Sequence, residues 1–423
     1  MNIKPVCLVC KGSRNLCGKG RCELLDAINA RFNPGSAGKK RKDLFGSSPP
    51  HLFVGRHGYP SVKVGPMLTM ETIPSAWRLN SPERWIGKPI EEIIGFRSEL
   101  VRSEASVHVS SLSGRVLEVV QELAMAERPV DTQVVFEKEG ILRHIPVLDP
   151  FAPPTGPSVG IRSAKLAENP RIPRKVDAVV SDTDASTVEG AMELYASSIS
   201  PYHLQRLLSA GLLGYRKKRR LVPTRWSITA MDDILGKELI KGVKDFQEIG
   251  EILLYKGNYA GNYFHILFIP RQWSFEMVET WLRGAFWASS TTTLQDHEGY
   301  SGRKNYAFHI SGGYYAARLP VLEHLHRLRR QATVIVYREI TPEYWAPLGV
   351  WVIRETVRRA LSMPPERFQE LKDAIVSISP NVKNKNWTAF SVLIPELRTQ
   401  RRLEDFMGHQ KGKDEKKIPG KTN

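Results

Sequence analysis

Beyond residue 22 this 423-residue chain contains no cysteine, so no disulfide framework can run through its body. That pattern is expected of a reducing cytoplasm, where disulfides add little stability. Long apolar runs are also missing. No stretch approaches the ~20 residues that span a bilayer, and Met1 to Lys19 lacks the apolar core of a signal peptide. A soluble, cytoplasmic protein without a membrane partner is the expectation. There is no G-x4-G-K-[ST] and no H-E-x-x-H, which removes the common ATPase and zinc-protease readings, and no internal repeat is visible. Acidic residues are short as well: 44 Asp+Glu against 61 Lys+Arg leave a charge of +17, a bias towards polyanionic partners such as DNA or RNA.

What is present is concentrated at the ends. All four cysteines, Cys7, Cys10, Cys17 and Cys22, stand in the pattern C-x2-C-x6-C-x4-C. Two closely spaced pairs can enclose one tetrahedral ion, and a segment this small has no apolar core of its own, so the metal is expected to supply its folding energy. Zinc is the expected ion; an iron–sulfur cluster uses the same ligands. The positive charge is uneven. Residues 1–48 hold ten Lys/Arg and three Asp/Glu, and the last sixteen residues hold five Lys and two acids.

A chain of this length exceeds one compact core, and its mixed helical and alternating patterns indicate a multidomain α+β protein. Residues 1–28 read as the zinc knuckle and 29–50 as a basic flexible linker. A globular region covers 51–300, with a sub-boundary near 150–183 where six prolines cluster in residues 150–173. A second region covers 301–395, and 396–423 form a flexible basic tail. Strands are expected at 52–55, 61–67, 251–256, 263–270 and 333–340. Helices are expected around Val116 to Ala124, from Pro201 to Gly211, over Leu319 to Arg330 and over Gly349 to Leu361, with another carrying Met277, Val278, Trp281 and Leu282 inward.

In the tail, Gln400, Leu403, Phe406 and Met407 have the spacing Q-x-x-hydrophobic-x-x-aromatic-apolar. This resembles the peptide that docks on the PCNA sliding clamp. One helical turn would gather Leu403, Phe406 and Met407 into a single apolar plug, although Met407 stands where a second aromatic is usual. The densest cationic run is Arg216-Lys217-Lys218-Arg219-Arg220, which reads as a phosphate-binding elbow and is similar to the wing of a winged helix-turn-helix domain. Arg225 and Trp226 form a cation beside an aromatic, as single-strand binders use. Asp232 and Asp233, adjacent, suggest a metal-holding pair or a helix N-cap. Weaker polar candidates are His57, the Asp296-His297-Glu298 triplet and Glu355, which follows Arg354.

Together, CLVCKGSRNLCGKGRC, VGRHGYPSVKVGPM, VPTRWSITAMDD, GGYYAARLPVLEHL and LGVWVIRETVRRAL, ending in the clamp-type peptide, resemble the archaeal Nre family of DNA repair proteins. The resemblance covers nearly the whole chain. It implies a zinc-finger-like N-terminus with ligands Cys7, Cys10, Cys17 and Cys22, N-terminal-type and C-terminal-type globular regions, and clamp contacts from Gln400, Leu403, Phe406 and Met407. It implies a role in the DNA damage response, alongside other repair enzymes, but no assigned reaction. Two classes therefore stand open. One is a DNA-binding repair factor tethered to the clamp. The other is a DNA-processing enzyme, a nuclease or hydrolase, in which His57, Asp232, Asp233 and Glu355 would have to converge.

Overall fold

The structure, a computed structural model, describes residues 3–399 apart from 13, 20, 21, 32–39, 143 and 144. It is an α+β protein built on two six-stranded sheets. The first comprises β1 (Lys40–Ser48), β2 (Leu52–Val54), β3 (Ser61–Leu68), β4 (Val101–His108), β5 (Val130–Ile141) and β6 (Ser158–Leu166), in the order β1-β5-β6-β4-β3-β2. All neighbours are antiparallel except β4 and β6. The second comprises β7 (Ile252–Tyr259), β8 (Asn262–Ile269), β9 (Ser274–Trp281), β10 (Thr292–Glu298), β11 (Thr333–Ile340) and β12 (Glu366–Phe368), in the order β10-β9-β11-β8-β7-β12. Here only β9 and β11 are parallel.

The helices are α1 (Val6–Cys10), α2 (Glu23–Arg31), α3 (Ile90–Arg97), α4 (Arg115–Met125), α5 (Arg174–Ser181), α6 (Thr187–Ala196), α7 (Pro201–Ser209), α8 (Thr224–Lys244), α9 (Gly312–Leu328), α10 (Trp351–Ala360), α11 (Leu371–Ile378) and α12 (Leu393–Thr399). No helix among the described residues is long and apolar enough to cross a membrane. One core runs from the first sheet through α4, α7, α8 and α9 to the second sheet; Val64, Leu207, Leu235, Ala317 and Val336 all belong to it.

Several local expectations are met for evident reasons. Every residue of β11 is buried, as a central strand covered on both faces requires. β7 and β8 form a hairpin through Ala260 and Gly261, both at positive φ (48° and 73°), the combination a two-residue I′ turn demands. Ser200 caps α7 by accepting a hydrogen bond from Tyr202 N, and Pro201 occupies the first turn.

Other expectations fail. Met277, Val278 and Trp281 lie on strand β9, not on a helix: their segment is buried on both faces between β10 and β11, and such a run has no decisive period. Residues 40–48, expected within the linker, form edge strand β1 on β5. β6 crosses the proline-rich stretch. No hairpin follows the basic elbow, because Thr224 begins the 21-residue helix α8; Asp232 and Asp233 sit inside that helix, so neither is its N-cap.

The N-terminal segment is docked on the body. Leu8, Leu24 and Ile28 are buried in a cluster with Trp85, Trp281 and Trp351, and each such side chain contributes roughly 1.5–3 kcal/mol. Lys11 Nζ lies 3.0 Å from Glu279 Oε1 on β9. A shared core is therefore available, and the expectation that metal alone must hold this segment is corrected.

Candidate nucleic-acid interface

The site is organised by a loop between the sheets. Asp149 Oδ1 accepts from Phe151 N (2.7 Å) and Ala152 N (3.0 Å), while Oδ2 pairs with Arg225 Nε at 3.3 Å. Phe151 O accepts from Val350 N at 3.0 Å. Close passage of this loop depends on two glycines. A Cβ at Gly312 would stand 2.8 Å from the Phe151 ring, and one at Gly349, which has φ +96°, would stand 2.7 Å from the Ala152 carbonyl carbon.

Beside the loop lies a cleft of ≈ 430 Å³. Arg225, Trp226, Thr229, Ala230 and Asp233 reach it from the first turns of α8, positions that share one helical face. Opposite stand Tyr306 and Tyr315, whose rings stack with centroids 5.3 Å apart. Arg56 enters from the β2–β3 loop. Arg14 enters from the N-terminal segment, donating from Nη2 to Phe308 O (2.7 Å) and to Ser311 Oγ, with its guanidinium 4.5 Å from the centre of the Phe308 ring. Trp226 remains 46% exposed and leans on Tyr59 at 5.3 Å; Tyr59, Tyr306 and, under Arg14, Phe308 are also exposed.

Charge in the cleft is one-sided. Of its two nearest carboxylates, Asp149 is engaged with Arg225, and Asp233 pairs with Arg318 (2.6 Å) and Lys237 (2.7 Å). Arg14 Nη1 and Arg225 Nη2 are shielded atoms without a partner, and Asp149 attracts the Arg56 guanidinium without an ion pair or hydrogen bond to it among the described residues. Burial and the neighbouring Arg225 pull the Arg56 pKa down. Partial burial, Arg56 and Arg225 lower that of His57, which favours a neutral imidazole at the rim. Although the Tyr306 ring is open, shielding of its hydroxyl end and the neighbouring Tyr315 push the phenol up to about 12. Three guanidinium groups next to exposed aromatic faces can take phosphates and stack bases.

The other sequence candidates are distributed differently. Arg216, Lys217, Lys218 and Arg220 are exposed on the short turn between α7 and α8. Arg219 is structural: its guanidinium donates to the carbonyls of Gly214 (2.8 Å), Val180 (2.9 Å) and Asp182 (2.7 Å). Asp232 is fully buried against Arg354. Glu355 accepts from Tyr202 Oη (2.7 Å) and Arg358 (2.6 Å). Asp296 holds Ile310 N (2.7 Å) and Arg303, and Glu298 holds Arg318 (2.7 Å). Each carboxylate is thus matched locally, and His57 faces Arg56, Arg225 and Asp149 instead of any of them. A G-x-S-x-G spacing does occur at residues 156–160, but Ser158 opens β6, paired with Arg102, and does not stand on a strand-to-helix turn.

Cys7 and Cys10 lie on α1, and Cys17 is exposed. Burial raises the Cys22 thiol, with smaller contributions from nearby Cys10 and Cys7. The donor set has zinc chemistry and three thiols approach one another, yet among the described residues no three Cys, His, Asp or Glu side chains converge tightly enough to hold an ion. Gln400, Leu403, Phe406 and Met407 lie outside the described residues.

Sequence reasoning found Arg225 and Trp226 but missed Arg14, Arg56, Phe151, Tyr306 and Tyr315. A signal was available: the VGRHGYP, VPTRWSITAMDD and GGYYAARL blocks each contribute to one cleft, and all three hold an Arg together with an aromatic.

The fold and the cleft define a two-sheet α+β protein with a cationic, aromatic groove. The chain matches the family described as Archaeal Nre, N-terminal over residues 16–288 and Archaeal Nre, C-terminal over residues 298–406, and it belongs to the archaeal Nre family. It is 39% identical over 405 residues to the DNA repair protein NreA of Archaeoglobus fulgidus, covering 95% of this chain and 98% of that protein. The DNA repair protein NreB of the same organism is 36% identical, covering 95% and 100%. The DNA repair protein NreA of Haloferax volcanii is 34% identical over 370 residues, covering 85% and 87%. No solved structure matches the chain. The two matched regions share a sheet: β11, from the C-terminal region, lies between β8 and β9 of the N-terminal one.

Proposed function

We propose that this protein is a DNA repair factor that binds DNA in the cleft between Arg14, Arg56, Arg225, Trp226 and Tyr306. The observation that carries this reading is the set of unpaired guanidinium nitrogens beside exposed aromatic rings; three relatives bearing the name DNA repair protein supply the biological setting. An open aromatic face favours unstacked bases, so single-stranded or distorted DNA is the substrate class. The exposed elbow cations Arg216, Lys217, Lys218 and Arg220 extend the phosphate track. The tail peptide from Gln400 to Met407 tethers the factor to the PCNA sliding clamp and raises its local concentration there. Cys7, Cys10, Cys17 and Cys22 would hold one zinc ion, which would brace the segment that presents Arg14. The processing-enzyme reading has less support, since its four candidate side chains are engaged separately.

Fluorescence anisotropy with a labelled single-stranded oligonucleotide tests the cleft. Stacking contributes about 1–3 kcal/mol per base, so Trp226→Ala should weaken binding by roughly 5-fold to 150-fold. Equal affinity for wild type and variant would remove Trp226 from the interface.

A further inference from the structure

On the other side of Phe151 from the cleft is a second, narrow cavity of ≈ 40 Å³, reached by His51, Tyr202, Arg206, Thr224 and Arg354. That volume holds roughly three waters, or one small oxyanion. Four shielded nitrogens of its lining lack partners: Arg206 Nε, Arg354 Nε, Arg354 Nη1 and His51 Nδ1. All four are donors. For His51 this follows from its neighbour: Arg97 Nη2 lies 3.3 Å from His51 Nε2, a guanidinium can only donate, and the imidazole proton is therefore on Nδ1. Burial, with Arg97 and Arg206 close by, also holds the His51 pKa well below its usual range, so the ring is neutral.

Four other polar groups of the lining are already committed. Ser209 Oγ donates to Val222 O at 2.7 Å, Ser227 Oγ to Thr224 O at 2.9 Å, Tyr202 Oη to Glu355, and Asn80 Nδ2 to Pro50 O at 3.0 Å. Among the described residues, no fully shielded side-chain acceptor of this lining is left without a partner. Water alone fits such a site poorly, because a water that accepts from these nitrogens must also place two protons of its own. The charges point the same way. Arg354 is balanced by Asp232, but Arg97 is satisfied by the carbonyls of Pro154 and Leu79, and Arg206 donates to Ala126 O at 3.3 Å and is attracted by Glu83 without forming an ion pair among the described residues.

We propose that this cavity is a binding site for one phosphate-sized oxyanion, held by Arg206, Arg354 and His51. The site is separate from the cleft and does not depend on the DNA-binding reading. The anion's source is either free phosphate or a terminal phosphate on a nucleic-acid end.

Thermal unfolding of the full-length protein tests it, in sodium phosphate against sodium chloride at matched pH and ionic strength. A parallel arm compares a short oligonucleotide with and without a 5′-phosphate. A rise of a few degrees with inorganic phosphate supports a free anion; no rise with inorganic phosphate but a larger rise with the 5′-phosphorylated oligonucleotide than with the unphosphorylated one supports a strand end. Arg206→Gln should abolish the inorganic-phosphate shift and the increment due to the 5′-phosphate, while Trp226→Ala should leave the inorganic-phosphate shift intact, which separates this site from the cleft. Phosphorus NMR of wild type with phosphate gives an independent readout should Arg206→Gln fail to fold. No shift and no line broadening in wild type, or an undiminished shift in folded Arg206→Gln, would overturn the proposal.

Discussion

Glu279→Gln should strongly destabilise the protein, because one buried carboxylate joins three separate parts of the chain. Glu279 is fully buried on β9. Its direct neighbour in the sheet is Arg338 on β11, with Nη1 at 2.5 Å, and Lys11 reaches it at 3.0 Å from the N-terminal segment. Trp281 Nε1 donates to it as well, at 2.5 Å. Burial opposes the charge, but Lys11 and Arg338 overcome it and hold the carboxyl down at about 2, against an ordinary value of 4.5. The difference corresponds to about 3 kcal/mol, in line with the cost of breaking a buried ion pair. Since the folded pKa is depressed, this contribution is fully present above pH 4.5 and is lost as pH falls from 4.5 towards 2. Urea unfolding followed by tryptophan fluorescence, from pH 7 to pH 3, should show the variant less stable by about 3 kcal/mol at pH 7, with the gap narrowing as the pH drops. A difference below about 1 kcal/mol at pH 7, or one that does not change with pH, would refute the assigned linkage.

Asp232→Ala leaves the fully buried Arg354 without its counter-charge and should cost about 3–5 kcal/mol in chemical denaturation, while folded variant retains wild-type DNA affinity; lost affinity with unchanged stability would restore Asp232 as a functional acid. Metal analysis of purified protein should find one zinc per chain, and iron with visible absorbance, or no metal, would exclude zinc. Phe406→Ala removes the central aromatic of the tail plug and should weaken binding to purified PCNA by roughly 30-fold in calorimetric titration, since such anchors carry about 2 kcal/mol; equal affinities would mean that the tail spacing is coincidental.

How much of this was legible in the sequence follows from the range of the interactions involved. The β7–β8 hairpin, α7 with its Ser-Pro cap, and the apolar run of β11 are specified within a few residues, and they stand where the pattern places them. β9 was misread because a strand buried on both faces and a buried helix share the same composition. β1 was hidden by its charge: Lys40, Arg41, Lys42 and Asp43 read as linker, whereas an edge strand tolerates and even favours charged residues. In the cleft, Arg225 and Trp226 were visible as a local pair. Arg14, Arg56 and Tyr306 were not, since their meeting is made by the docking of distant segments onto α8 and α9. The carboxylates misled in the opposite sense. Asp232, Asp233 and Glu355 look available in sequence, and only folding reveals the Arg354, Arg318 and Arg358 that neutralise them.

The central claim is that the cleft, more than the basic elbow, grips DNA, and salt-dependent binding of a single-stranded oligonucleotide tests it most directly. Anisotropy titrations across a salt series would compare wild type, an elbow variant with Arg216, Lys217 and Lys218 all changed to Ala, and a cleft variant combining Arg56→Ala with Trp226→Ala. The elbow variant should lose slope, by roughly two units of log affinity against log salt, yet still bind where salt is high. The cleft variant should lose about one unit of slope and also at least 10-fold in affinity that salt does not govern, because stacking is lost with the charge. A cleft variant that binds like wild type while the elbow variant fails would contradict the account.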